Sequence, residues 1–168
     1  MQRLFRRSWV LAVVAVVPFL GMTAAPAAAK TVTPQKWATG FCTALGDWQN
    51  ALSDVQSSLT DANVDASLGQ ALAATDRALS HAKAAGVPTA TNGKQLDALL
   101  LNGFTQARKI LAADRADGVK AQTADQDLTS VSSQVAGVFD GFGSLDKGGK
   151  LGKVVRAQRA CAFMNPSA

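Results

Sequence analysis

Two cysteines, Cys42 and Cys161, carry the chemistry that is easiest to predict from residue type and spacing. They lie 119 positions apart, outside any Cys-x-x-Cys motif, and no basic residue flanks Cys42 to activate its thiol. A redox or nucleophilic pair is therefore the less favoured interpretation. If the chain is exported, an oxidising compartment would keep two such thiols paired. The sequence predicts a Cys42–Cys161 disulfide that joins the two ends of the domain.

Other groups that could do chemistry are sparse. All 12 acidic residues are aspartates, His81 is the single histidine, and tyrosine is absent. These counts exclude a histidine-rich metal centre, a zinc ribbon and a scaffold of several disulfides. General acid–base catalysis would depend on aspartates or His81, and the sequence places no two of them where they would share a buried cleft. We therefore expect no catalytic residues, no metal, no cofactor and no enzymatic activity.

One segment resembles the beginning of a calcium-binding loop, because oxygen-bearing residues alternate at Asp61, Asn63, Asp65 and Ser67. The resemblance stops there. Ala66 replaces the glycine that such a loop needs, and Leu72 replaces its bidentate glutamate. The segment is instead predicted to cap a helix through Asp61 or Asn63.

Three aromatic residues, Trp37, Phe41 and Trp48, fall on one helical stripe and could line a ligand pocket. A carrier of a small apolar ligand would need an interior cavity of several hundred Å³ near the two tryptophans. Alanine-rich helices pack closely, so we expect no such cavity and interpret the three rings as core. The carrier remains the alternative function.

The elements that position these residues are predicted from apolar spacing and helix-end signals. The first helix starts at Thr33-Pro34, a hydroxyl cap followed by proline. Its apolar stripe is Trp37, Phe41, Leu45, Trp48, Leu52, Val55 and Leu59. A second helix begins near Val64 and stops at Gly86-Val87-Pro88, where glycine can adopt a left-handed conformation.

Three further helices follow in the second half of the chain. The third opens at Asn92 with Gln95 completing a capping box, and the fourth opens in the same way at Thr123 with Gln126. Glycines loosen the chain after the fourth, and a last short helix spans residues 151–163. No segment alternates with period two. The prediction is an all-α, single-domain antiparallel bundle of four to five helices over residues 30–168.

The N-terminal 29 residues are predicted to be a signal peptide. Basic Arg3, Arg6 and Arg7 precede an apolar run, and small alanines precede Lys30. The general secretory route is favoured over the twin-arginine route. The alternative is a retained membrane anchor over residues 9–29, which Pro18 and Pro26 disfavour.

Charge is distributed unevenly along the remaining chain, which has 14 basic and 12 acidic residues. Five cations recur at every third position near the C-terminus: Lys147, Lys150, Lys153, Arg156 and Arg159. Steps of three advance about 300° around a helix, so five of them wrap most of its circumference and predict no single stripe. This end could still attract an anionic cell-envelope component, but the favoured account of the cations themselves is solvation together with pairing to aspartates of the body. No aromatic residues are interleaved, so no nucleic-acid partner is expected.

Several features together resemble uncharacterised small secreted helical proteins of actinobacteria. They are the export signal, the alanine- and aspartate-rich composition, and four short motifs: Phe41-Cys42, Gly86-Val87-Pro88, Asn92-Gly93-Lys94 and Ala160-Cys161. The resemblance spans most of the chain and implies location and fold, not catalytic residues. We expect an exported, non-enzymatic interaction or structural module at the cell envelope, with an anionic envelope component or another envelope protein as partner.

Overall fold

The computed structural model describes residues 30–145, 149–159 and 161, so the predicted signal peptide lies outside the described residues. Five helices and two short strands make up this part of the chain: β1 (Thr31–Val32), α1 (Pro34–Ser58), α2 (Val64–Ala85), β2 (Val87–Pro88), α3 (Gly93–Asp117), α4 (Ala121–Leu145) and α5 (Lys150–Arg156). The predicted all-α helical bundle is confirmed.

Helix α1 begins and buries its residues as the sequence predicts. The backbone N–H of Lys36 donates to the Thr33 hydroxyl over 3.3 Å, with Pro34 in the first turn. Its inward stripe is buried from Trp37 to Val55 against α2, α4 and α5, and it supplies the largest side chains of the core. Leu59, the last residue of the predicted stripe, is the partly buried C-cap.

Contacts between consecutive helices set the direction of the bundle. The start of α1 meets the end of α2, because a Cβ on Gly40 would lie 3.2 Å from that of Ala85. The start of α2 meets the end of α3 through Asp65 and Arg115, 2.9 Å apart. Gly103 of α3 similarly approaches the later part of α4. Consecutive long helices therefore run in opposite directions, as short connections favour.

A two-stranded parallel ladder, which the sequence did not predict, ties the start of the chain to the α2–α3 connection. The Val87 N–H donates to the Lys30 carbonyl over 3.0 Å, and the Thr89 N–H donates to Val32 over 2.8 Å. Strands of two residues are too short to show a period. Gly86 has φ 79° and ψ −169°, so it takes the predicted positive φ in an extended conformation rather than in the left-handed helical region.

Neither predicted capping box forms. Asn92 precedes α3 with φ 63°, and its side chain makes no capping hydrogen bond. Helix α4 begins at Ala121, two residues before Thr123, and the Ala121 N–H donates to Asp61 Oδ1 over 2.8 Å. Asp61 therefore caps a helix, as predicted, but it does so across the bundle at α4 and not at α2.

The C-terminal segment differs from the prediction in two ways. Helix α4 continues through Gly141 and Gly143, where the chain was expected to loosen. Helix α5 ends at Arg156 rather than near residue 163, so Cys161 lies in a 3₁₀ turn beyond it. Leu151 and Val155 are buried, and they hold α5 against α1.

Candidate functional site

The predicted disulfide is present between Cys42 of α1 and Cys161. Their Cα atoms lie 5.1 Å apart, and both residues are completely buried. The Thr39 hydroxyl lies 3.2 Å from Gln158 Oε1, which adds a second contact between α1 and the segment after α5. The bond therefore fixes the C-terminal segment beside the first turns of α1 and leaves no thiol for redox or nucleophilic chemistry.

The three aromatic candidates are core residues. Trp37 stacks on Phe41 with ring centroids 5.0 Å apart, and Trp48 meets Phe104 of α3 edge-on at 5.4 Å. The Trp48 indole N–H donates to the buried hydroxyl of Thr75 over 2.9 Å. Phe104 was missed in the sequence, although its position four residues after buried Leu100 marks the same helical face.

Space beside these rings is small. Trp48 lines a cleft of about 130 Å³ between α1 and α2, well below the roughly 300 Å³ at which ligand pockets begin. Trp37 is completely buried, and it lines neither this cleft nor two larger ones. The described structure thus gives no support to an interior carrier site at the tryptophans.

The basic C-terminal residues form an arc on one side of α5. Because the helix ends at Arg156, only Lys150, Lys153 and Arg156 are helical, and steps of three then span about 120°. All three are exposed, opposite buried Leu151 and Val155. The expectation that the cations wrap the helix is therefore wrong for the described residues; Lys147 lies outside them.

The fold gathers further cations around this arc. The start of α1, the end of α2, the start of α3 and the α5 segment meet at one end of the bundle, here called the basic end. Its exposed cations are Lys30, Lys36, Lys83, Lys94, Lys150, Lys153, Arg156 and Arg159. None of these eight forms an ion pair within the described residues, whose ion pairs involve Arg108 and Arg115. The predicted pairing of the C-terminal cations with aspartates of the body is not found there.

One carboxylate lies at the basic end among the described side chains. Asp97 is half-buried, and burial raises its pKa, while a hydrogen bond with Trp37 partly opposes this rise. Among the described residues, the eight cations therefore have no exposed carboxylate beside them at this end, and this favours contact between their charges and an anionic ligand.

Negative charge collects at the opposite end of the bundle, here called the acidic end. Helices α1 and α3 finish there, and α2 and α4 start there. Its carboxylates are Asp54, Asp61, Asp65, Asp114, Asp117, Asp125 and Asp127, with Arg115 and Lys120 as the cations. The body of the chain, which is weakly acidic on average, is thus strongly polarised along the bundle axis.

Asp114 of α3 lies beside Asp127 of α4 at the acidic end. Asp114 of α3 is 9% exposed, and no N–H or hydroxyl of the described residues donates to its Oδ2. Burial raises the pKa of Asp114, and the negative charges of Asp127 and Asp117 and a hydrogen bond shared with Asp127 raise it further. A hydrogen bond between the two carboxyl groups forms when one of them carries a proton, which it donates to the other. Neither residue lines the described clefts.

Asp114→Asn is expected to stabilise the protein at neutral pH by about 1 kcal/mol, because the amide removes a buried charge and can donate to Asp127. A folded-state pKa above the unfolded value means that wild-type stability falls as pH rises through the range between the two values. The gain should therefore disappear below about pH 4, where Asp114 is protonated in both states. Urea unfolding at pH 7 and pH 3.5 measures it, with exposed Asp54→Asn, whose charge does not act on Asp114, as the control. Equal effects of both variants would contradict this account.

The residues of the calcium-like segment all have structural partners. Asp61 caps α4, Asn63 Oδ1 accepts from the Thr60 N–H over 2.7 Å, and Asp65 pairs with Arg115. Within the described part of the chain, no group of three or more His, Cys or Asp side chains is arranged to hold a metal ion.

The chain was compared with known protein families, curated proteins and solved structures. No protein-family model matches the chain, and neither a curated protein nor a solved structure matches it. Among the described residues, no helix is both long and apolar enough to cross a membrane. The predicted anchor over residues 9–29 lies outside them.

Proposed function

We propose that the protein is an exported, non-enzymatic module that attaches to an anionic surface of the cell envelope through its basic end. The observation that carries this proposal is the gathering, at one end of the bundle, of eight exposed cations from four parts of the chain, none of which forms an ion pair with another described residue. A surface of one charge sign attracts oppositely charged polymers or headgroups without needing a shaped pocket.

Export is part of the proposal. The buried disulfide is compatible with an oxidising, extracytoplasmic compartment, where such bonds persist. The N-terminal basic and apolar pattern supplies the signal for reaching it. A start of the mature chain near Lys30 would also leave that lysine at the basic end, next to β1.

The test compares two double substitutions of exposed lysines that change net charge equally. Lys94→Gln with Lys153→Gln removes charge from the basic end, and Lys109→Gln with Lys120→Gln removes it elsewhere. Each lysine near an anionic surface contributes about 1 kcal/mol, so the first variant should bind isolated envelope fractions about 30-fold more weakly at low salt. The control should change binding less than about threefold, and raised salt should weaken all binding. Equal losses in both variants, or binding insensitive to salt, would contradict the proposal.

A further inference from the structure

A groove follows the seam between α1 and α2 from the basic end toward the middle of the bundle. Its upper part is an open cleft of about 350 Å³ with a mostly apolar lining, bordered by Lys36 and His81. Its lower part is the 130 Å³ cleft beside Trp48, which shares His81 with the upper part. From Lys36 to Asp47 the α1 wall is about 16 Å long.

Small residues create this groove. Gly40 lets α1 approach Ala85 closely in the upper cleft, and Ala44, Ala74 and Ala78 continue the floor below it. The lower cleft also has charged walls, formed by Asp47 and Arg77, so the upper cleft is the apolar part of the groove. Backbone groups of both walls are within helices and already hydrogen-bonded. The floor therefore offers apolar contact with few polar partners, whereas a bound peptide would need partners for its own backbone. A hydrocarbon chain has no such requirement.

Charge selects the group at the open end. Lys36 borders the upper cleft, and Thr39, which also lines it, donates to Gln158 in the segment that carries exposed Arg156 and Arg159. These three cations belong to the basic end, so an apolar chain in the upper cleft would place an attached anionic group near cations that form no ion pair among the described residues. In such a ligand the apolar part would contact the apolar groove, and the anionic part would contact the cations at its open end.

We infer that the α1–α2 groove binds the acyl chain of an anionic lipid, with its headgroup held by Lys36 and its neighbours at the basic end. This inference rests on the proposed function and specifies its ligand. It places the apolar chain in the upper cleft of the groove, outside the core around Trp37 and Trp48 and above the 130 Å³ cleft, which is too small for a ligand.

The probe is a lysophosphatidylglycerol below its critical micelle concentration, added to oxidised mature protein labelled with ¹⁵N. We expect saturable shifts of the amide signals of Gly40, Thr43 and Ala84. Glycerol phosphate, which lacks the chain, should give no saturable shift there, and a neutral monoacylglycerol should bind at least tenfold more weakly. Shifts confined to other surfaces, or equal binding of the chain-free headgroup, would overturn the inference.

Two substitutions fill the groove from opposite walls. Thr43 and Ala84 are exposed lining residues, so Thr43→Leu with Ala84→Leu should weaken lysolipid binding at least tenfold. The matched control is Ala113→Leu with Thr123→Leu, at exposed positions of α3 and α4. Undiminished lysolipid binding by the groove variant would overturn the inference. If the groove variant does not fold, Lys36→Gln decides: it should weaken lysolipid but not monoacylglycerol binding, and equal effects would overturn the inference.

A soluble polyanion without a chain separates this inference from the proposed function. Inorganic polyphosphate should bind the groove variant as well as it binds wild type, and it should bind the Lys94→Gln, Lys153→Gln variant more weakly. If the Lys94→Gln, Lys153→Gln variant binds polyphosphate as tightly as wild type, the basic end is not the binding surface. If only the expected changes in lysolipid binding are absent, the groove is not the lipid site, and the proposed function is unaffected.

Discussion

Breaking the Cys42–Cys161 disulfide is expected to lower the free energy of unfolding by about 4 to 5 kcal/mol. The bond closes a loop with a sequence separation of 119, and in the chain-entropy model a loop of that size restricts the unfolded chain by about this amount. A domain of ordinary stability has about 5 to 15 kcal/mol in total, so the loss would be a large fraction of it. Urea unfolding of oxidised and reduced protein measures the difference.

Two controls separate the bond from the atoms that form it. Reduced wild type keeps both thiols in the buried site, while Cys42→Ala with Cys161→Ala also removes sulfur volume from the core. Both should be destabilised, the alanine variant slightly more. Hydrogen exchange in α5 should increase in both, because this short helix would then be held on α1 without a covalent link, by the burial of Leu151 and Val155 and the Thr39–Gln158 contact. A difference below about 1 kcal/mol would contradict the expected role of the bond.

Trp48→Ala is expected to cost about 3 to 5 kcal/mol. The indole is 1% exposed, meets Phe104 edge-on and donates to the Thr75 hydroxyl, so truncation leaves both a cavity and a lost hydrogen bond. Trp48→Phe keeps most of the ring volume and should cost about 1 to 2 kcal/mol, mainly through the lost donor.

Denaturant unfolding of the two Trp48 variants checks this ranking, with circular dichroism confirming helical content. A role in lining a ligand site would give the opposite pattern, in which alanine leaves stability nearly unchanged and alters only binding. That result would contradict the assignment of Trp48 to the core.

The cap of α4 and the β1–β2 ladder both depend on contacts between distant parts of the chain, which local sequence patterns do not predict. The boxes at Asn92 and Thr123 satisfied a local pattern, yet α4 is capped by Asp61 from a distant connection. The β1–β2 ladder joins residues more than fifty positions apart through segments too short to show a period. Local patterns report what neighbouring residues favour, and they carry no information about a partner supplied by another part of the chain.

Local sequence patterns also failed to predict how the cations are arranged on the surface. The sequence drew attention to the cations near the C-terminus and predicted that they wrap a helix. Because α5 ends at Arg156, its three cations lie on one side of the helix. Helix packing brings four more cations to the same end of the bundle: Lys30, Lys36, Lys83 and Lys94. The groove beside them depends on how closely α1 approaches α2, which spacing within one helix does not reveal.

Apolar spacing by itself determined the helical class, the inward stripe of α1 and the end of α2 near Gly86, because helix periodicity and chain breakers act over a few residues. Two cysteines allow only one pairing within the chain, so the sequence predicted which residues form the disulfide, given the predicted export. Only the tertiary structure decided the polarised charge, the Asp114–Asp127 pair and the α1–α2 groove. Each of these depends on distances between residues far apart in the chain, which packing of the buried stripes fixes.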